Sequence, residues 1–541
     1  VLDSIMSATQ GNEEDINEAF EKLLFAEEVA EEKGYTEGYE AGRNQKLKGY
    51  HLGYHRASLL AARLGYYHGV VEFCLTNGLF GERVIQQALK LREAIRSFPR
   101  NNDTSFDILS RIAVTWETMM SFEKHFENAL SFINENRSLA DCHLVDFITG
   151  NLWKECLSYS LRQELESIEL MDHSRTGSQQ HIKKLAAASS ELKDFISRAN
   201  SLCLKNGQSI AALDHTRTIA TESEDNDDAK KHSAKFMSNK KQHEIEILAK
   251  LIGRLAEENE ASLVIDAGAG KGYLSTCISE RFGIPVLAVD SSRSHRTSAI
   301  RRQEIIKKKT HRKTPLIQYS VQHIDEQTDY EQLVRSNFAD WSAKENFILT
   351  GLHTCGQLAH SMIKNFLSTG CLKSLCVVPC CYHLTEESLT GRCSLTKNAR
   401  MIAQQSAERS QSREDEPHPP SLYYRALLQV VLESLGKIGR GAPTRDFPSY
   451  AQWALRKIGV DSERIPSSES LAELYNSHLD FRWKFNVFQS MRVHLGSVIE
   501  SAIVLDRVLY LQESDRCSKV ALTRLFDPLI SPRCYAITAS K

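Results

Sequence analysis

Chemistry concentrates in three short stretches of the sequence. The first is Leu263-Val264-Ile265-Asp266-Ala267-Gly268-Ala269-Gly270-Lys271-Gly272-Tyr273-Leu274, an apolar run that enters a glycine-rich turn. A strand, such a turn and a helix starting near Tyr273 would bring backbone N–H groups and a helix N-terminus to a ligand, with glycine where a side chain would collide. A second apolar run, Pro285 to Val289, ends in Asp290, where a carboxylate is placed to accept from ribose hydroxyls. The turn reads D-x-G-x-G-x-G rather than the dinucleotide pattern G-x-G-x-x-G. Asp266 ahead of the first glycine would repel a pyrophosphate and suits the cationic methionyl portion of S-adenosylmethionine. The expected cofactor is therefore S-adenosyl-L-methionine, held by Asp266, Gly268, Gly270, Gly272 and Asp290. A nicotinamide or flavin dinucleotide, or a plain strand-turn-helix without a ligand, are the alternatives.

The other two stretches are apolar runs with polar ends. Phe347-Ile348-Leu349-Thr350 leads into Gly351-Leu352-His353-Thr354-Cys355-Gly356, and Ser374-Leu375-Cys376-Val377-Val378 leads into Pro379-Cys380-Cys381-Tyr382-His383. In an open α/β sheet the carboxyl ends of strands line the ligand crevice, so both ends should sit near the transferred group. His353, Cys355, Cys380, Cys381 and His383 are the candidate catalytic residues, with a histidine orienting or deprotonating the acceptor or a thiol attacked first. A purely structural use of buried thiols competes with this. Cys and His also ligate zinc, but C-x2-C spacing is absent and the adjacent Cys380-Cys381 pair is awkward for a metal, so no metal ligands are assigned.

Such residues need elements to hold them. From Lys240 onward, helical patterns alternate with apolar strands, the signature of an α/β domain. A Pro-containing polar break near 408–421 reads as a loop within that domain, which spans 237–541. Upstream, residues 131–218 carry helical patterning, and the acidic stretch 219–236 reads as a linker. Residues 1–130 are helical, with a stripe of Gly34, Gly38, Gly42, Gly49, Gly53, Gly65 and Gly69. Glycine inside a helix costs about 1 kcal/mol relative to alanine, so close backbone packing along that face must compensate. Glu37, Glu40, Arg43, Lys46, Lys48 and Arg56 exclude a bilayer as the packing partner. A tight helical hairpin and a protein-docking surface both fit.

The whole chain bounds these readings. With 541 residues it is too long for one ordinary domain. A formal charge of -2 gives no global case for nucleic-acid or membrane binding. A local case exists: Arg293, Arg296, Arg301, Arg302, Lys307, Lys308, Lys309, Arg312 and Lys313 face only Glu304. The run 293–313 could track an RNA backbone, or be a solvated helix face. Thirteen cysteines, an odd and sparse set, argue against a disulfide scaffold. Val1-Leu2-Asp3 does not read as a secretory signal, and no apolar run is long enough to span a membrane. A reducing compartment, the cytoplasm or also the nucleus, is expected.

Two family resemblances bear on function. Gly34-Tyr35-Thr36-Glu37-Gly38-Tyr39-Glu40-Ala41-Gly42 and Gly65-Tyr66-Tyr67-His68-Gly69 resemble the deca-GX3 repeat of the Yae/Lto adaptor family across residues 15–128. That implies a protein partner, since these adaptors help deliver iron–sulfur clusters to a ribosome-recycling ATPase. A non-enzymatic adaptor is thus the rival to an enzyme. Met237 to Glu244, the Asp266 turn, Gly351 to Gly356, Val378 to His383, Tyr424 to Gln429 and Leu525 to Arg533 resemble the methyltransferase-like protein 25 family across 131–541. The H-x-C-G and C-C-x-H elements are also similar to a tRNA ribose 2′-O-methyltransferase family. These resemblances imply an α/β Rossmann-like class I methyltransferase domain preceded by all-α N-terminal regions, acting on an RNA or protein acceptor. The N/D-P-P-Y/F signature of adenine N6 enzymes is absent; Gly351-Leu352-His353-Thr354 stands in its place.

Overall fold

The computed structural model describes residues 122–171, 179–204, 237–310, 316–338, 346–386, 388–405, 420–432 and 446–541, with isolated positions between 65 and 92. Two compact units divide the chain, Val1–Glu117 and Thr118–Lys541. The glycine stripe lies almost wholly outside the described residues, as do the acidic linker 219–236 and nearly all of the loop 408–421.

In the second unit, a seven-stranded sheet forms from β1 (Leu263–Ala267), β2 (Val286–Asp290), β3 (Ile317–Val321), β4 (Phe347–Cys355), β5 (Leu372–Cys380), β6 (Lys519–Arg524) and β7 (Tyr535–Ser540). Its order is β3-β2-β1-β4-β5-β7-β6. The first five strands run parallel, and β7 lies antiparallel to both β5 and β6. β1 is buried along all five residues. Apart from Asp266 its residues are apolar, as a parallel strand covered on both faces requires. Five helices alternate with these strands: α1 (Asn239–Glu258), α2 (Tyr273–Phe282), α3 (Arg293–Thr310), α4 (Tyr330–Asn337) and α5 (Gln357–Ser368). This is a Rossmann-like fold. Chain order reverses between β1 and β4, so the crevice lies off their carboxyl ends.

Beyond the sheet follow α6 (Lys397–Ile402), α7 (Pro420–Leu432), α8 (Phe447–Lys457), α9 (Ser468–Ser477) and α10 (Phe481–Gln512). α10 buries 26 of its 32 residues. A helix apolar on nearly every side belongs in the centre of a core. Among its buried polar groups, Asp506 accepts the amides of Leu389 and Thr390 and the Thr390 hydroxyl. At Gly496 a methyl group would stand 2.5 Å from the Ile402 carbonyl, so glycine lets α6 approach.

The upstream helices are not a separate layer. Phe147 packs edge-on against Phe485 and Phe488, each at 5.2 Å, and Trp153 meets Trp483 at 5.4 Å. Leu204 donates its amide to Ser501, and Arg492 donates to the Cys142 carbonyl. Residues 131–218 were expected as a region apart from the methyltransferase domain, yet their described part shares one hydrophobic core with α10. Helices of five to 13 residues with one apolar face each cannot enclose a core alone. The expected boundary at 130 also moves, because a helix over 122–135 belongs to the second unit.

Candidate active site

The glycine turn leaves β1 and enters α2. Gly268, Gly270 and Gly272 all have positive φ, at 72°, 56° and 65°. Side chains other than glycine rarely adopt that region, so the alternate spacing is a backbone requirement. At Gly272 a methyl would also strike the Tyr319 ring at 2.8 Å. The amides here are already engaged: Gly268 and Ala269 donate to the Val289 carbonyl, Gly272 donates to Ala269, and Gly270 donates to the Asp290 carboxylate. Those four are not free to receive a pyrophosphate.

Asp290, at the end of β2, stands at the mouth of this turn. Its carboxylate also accepts the Ser292 amide at 2.8 Å and lies 3.0 Å from His295 Nδ1. Asp266 is placed differently from the sequence expectation. It is 1% exposed and accepts from the Ser275 hydroxyl at 2.5 Å, bracing α2 against β1. Burial raises its carboxyl to about 7, the Ser275 hydrogen bond opposes the rise, and the Asp290 charge adds to it. At neutral pH Asp266 is therefore no fixed negative charge. Its carboxylate is committed to Ser275 inside the domain rather than standing exposed at the turn.

Positive charge gathers at the start of α2. Lys241 Nζ lies 3.7 Å from the Tyr273 ring centroid and the Arg302 guanidinium 4.2 Å from it. Arg302 also donates to the Gly272 carbonyl and to Thr276. The basic run 293–313 is thus not uniformly a solvated face. Arg302 turns inward to hold the turn, and Arg296 donates to the Tyr319 carbonyl, while Arg293 and Arg301 are exposed. The side chains of Lys307, Lys308 and Lys309 lie outside the described residues, as do Arg312 and Lys313 entirely.

Across the switch point, β4 is irregular. Gly351 pairs with Val377 and Thr354 with Pro379, so three residues on β4 oppose two steps on β5. A bulge of this kind re-aims side chains, and it falls on Leu352-His353. His353 is exposed, and its Nε2 lies 3.4 Å from Glu244 Oε2 on α1. Glu244 is 2% exposed; it also accepts from the Ser531 hydroxyl at 2.6 Å and meets Lys240 at 3.6 Å. Burial pushes its carboxyl up, but the hydrogen bonds from His353 and Ser531 and the charges of His353 and Lys240 outweigh this and hold it below the usual range. The result is an ionised, buried carboxylate fixing one ring nitrogen of an exposed histidine. With Nε2 turned to Glu244, Nδ1 is the nitrogen left to accept a proton.

The three cysteines converge beside this pair. Cys355 and Cys380 lie opposite each other on β4 and β5, with sulphurs 3.2 Å apart, and the sulphurs of Cys355, Cys380 and Cys381 all lie within 4.8 Å of one another. Hydrogen bonding from Cys380, against burial and with help from Cys381 and the His353 charge, draws the Cys355 thiol down to about 6; Cys380 and Cys381 are pushed up. Neither histidine belongs to the group. His383 pairs instead with Gln404 at 2.5 Å, whose carbonyl accepts from Arg533. Gly356 closes the arrangement: it donates to the Cys380 carbonyl, and with φ at +55° a methyl there would stand 2.6 Å from Leu384.

This geometry can be set beside known proteins. Residues 240–388 match a family described as a methyltransferase domain. The chain thus carries a methyltransferase domain. "Probable methyltransferase-like protein 25" of Mus musculus is 23% identical over 77% of this chain and 96% of the relative, and the Homo sapiens protein of that name matches at the same identity and coverage. All ten candidate site residues from 266 to 383 fall within the matched domain. Glu244 and Ser531 were not among the sequence candidates. A signal existed for Glu244: it sits four residues before Leu248 and eight before Ile252, a carboxylate on the buried stripe of α1. Ser531 gave none, because a hydroxyl in a loop has no periodicity.

Proposed function

We propose that this domain transfers a methyl group from S-adenosyl-L-methionine to an oxygen or nitrogen of an RNA or protein acceptor. The convergence of Asp290 and the His353–Glu244 pair at the carboxyl edge of the sheet, on either side of the β1 turn, carries the reading. The residues fit the donor. Asp290 is an acceptor for ribose hydroxyls, Gly268, Gly270 and Gly272 let the backbone approach, and Lys241 brings positive charge for the methionyl carboxylate. The donor supplies an electrophilic methyl on a sulfonium, so the protein's task is alignment and removal of one proton. Nδ1 of His353 takes that proton from the acceptor, and Glu244 stabilises the imidazolium that results.

Calorimetric titration of the full chain tests the donor. Binding should be lost with Asp290→Ala and retained with Glu244→Gln. Incubation with a tritiated-methyl donor and cell RNA or protein then identifies the acceptor by the fraction that takes label. Glu244→Gln should lower that incorporation roughly 10²-fold. Absence of donor binding by the unaltered protein refutes the reading, and equal labelling by Glu244→Gln removes the base assignment.

A further inference from the structure

Methyl transfer by a histidine base leaves three thiols unexplained. They were set aside as metal ligands because they lack C-x2-C spacing, an argument about neighbours along one segment. The structure gathers them across the sheet. Cys355 ends β4 opposite Cys380 at the end of β5. Cys381 would point to the other face if the strand continued, but its φ of +51° places it in the left-handed region. That conformation is unfavourable by about 1–2 kcal/mol for a residue with a Cβ, and here it folds the chain back so that adjacent cysteines present their sulphurs together.

We propose that Cys355, Cys380 and Cys381 bind a thiophilic divalent ion of the zinc class, with a fourth position open on the exposed side of Cys355. Tetrahedral coordination at about 2.3 Å per Zn–S bond separates sulphurs by about 3.8 Å. The observed 3.2 Å for Cys355–Cys380 and the 4.8 Å limit for the trio bracket that spacing. Three soft sulphur donors select zinc or copper(I) over magnesium or calcium. Three protein ligands with one position vacant is the pattern of zinc sites that admit a further molecule. The site borders the acceptor side of the crevice, since Cys355 is two residues from His353. The proposal goes beyond methyl transfer and stands or falls without it, because metal content is measured with no donor present.

The full chain, purified in reductant without chelator, should carry about one zinc ion per molecule by mass spectrometry of the metal. Cys355→Ser and Cys380→Ser should each reduce this to less than about a tenth, with Cys376→Ser, inside β5 but outside the trio, as the control that retains it. Exchange with cobalt(II) should give thiolate-to-metal charge-transfer absorption and the strong visible bands of a tetrahedral ion. Should a serine variant fail to fold, the cobalt spectrum of the unaltered protein still decides, since its charge-transfer intensity counts the thiolates. Two results overturn the proposal. One is reduced protein, with all three thiols open to alkylation, that takes up neither zinc nor cobalt. The other is a Cys355–Cys380 disulfide in protein purified without reductant, together with no metal in the reduced form.

Discussion

Asp266 gives the domain a pH dependence that one substitution should remove. Its carboxyl is raised from 3.8 to about 7, with burial the largest cause. A group whose folded value lies above its unfolded value contributes stability that is complete below the unfolded value and is lost as pH rises through the folded one. The difference of about 3.2 pH units, at 1.36 kcal/mol per unit, makes the loss about 4 kcal/mol in all. More than half of it should fall between pH 5 and pH 8. Asp266→Asn keeps a carbonyl to accept from Ser275 and cannot ionise, so its stability should lack this slope. The amide adds a buried donor that must find a partner, so a uniform penalty of about 1–3 kcal/mol at every pH is expected. Urea denaturation of both proteins at pH 5, 6, 7 and 8, read as the difference between them, cancels the titration of every other group. The infrared band of a protonated, buried carboxyl in the unaltered protein, missing from the variant, should fade with a midpoint near 7. Parallel stability curves, within about 0.5 kcal/mol across the range, would refute the account of Asp266 as a carboxyl held in a dry brace behind the turn.

Two further consequences concern the turn and the thiols. Gly272→Ala places a methyl 2.8 Å from the Tyr319 ring at a φ of +65°; it should destabilise the domain by about 1–3 kcal/mol and abolish donor binding, and unchanged thermal melting would contradict the steric reading. In metal-free, reduced protein, the alkylation rate of Cys355 should rise with a midpoint near pH 6, while Cys380 and Cys381 lag well behind. His353→Ala should move the Cys355 midpoint upward, because the imidazole charge helps to lower it. A Cys355 midpoint near the ordinary thiol value, observed by mass spectrometry of labelled peptides, would remove the hydrogen-bonded trio.

What the sequence discloses depends on how local the constraint is. The β1 turn was legible in full because each glycine answers a backbone demand at its own position, three positive φ values at alternate residues. The apolar runs ending in Asp290, His353 and Cys380 were legible for a related reason, since a parallel strand needs an unbroken buried run and its carboxyl end is where the crevice opens. The strand extents differed slightly: β4 continues through His353 to Cys355, because a bulge keeps the ladder going where the polar residues suggested it had stopped.

Convergence between elements was not legible, and the failures share that cause. Asp266 looked like a ligand group because its place before the first glycine is a chain position, whereas its burial depends on α2 closing over it with Ser275. Glu244 was overlooked because its partner histidine lies on a strand that only the fold brings near α1. The cysteines show the same limit: C-x2-C spacing is a property of one segment, while the three sulphurs meet through strand register and one left-handed residue. The upstream helices looked separable because an amphipathic face announces that it will be buried without naming what buries it; here the partner is α10, more than 300 residues further along the chain for Trp153 and Phe147. Residue types therefore marked which strand ends carry polar groups, and topology decided which of those groups meet. The histidine is oriented by a carboxylate from the first helix, and the acid expected to touch the ligand holds the turn from behind.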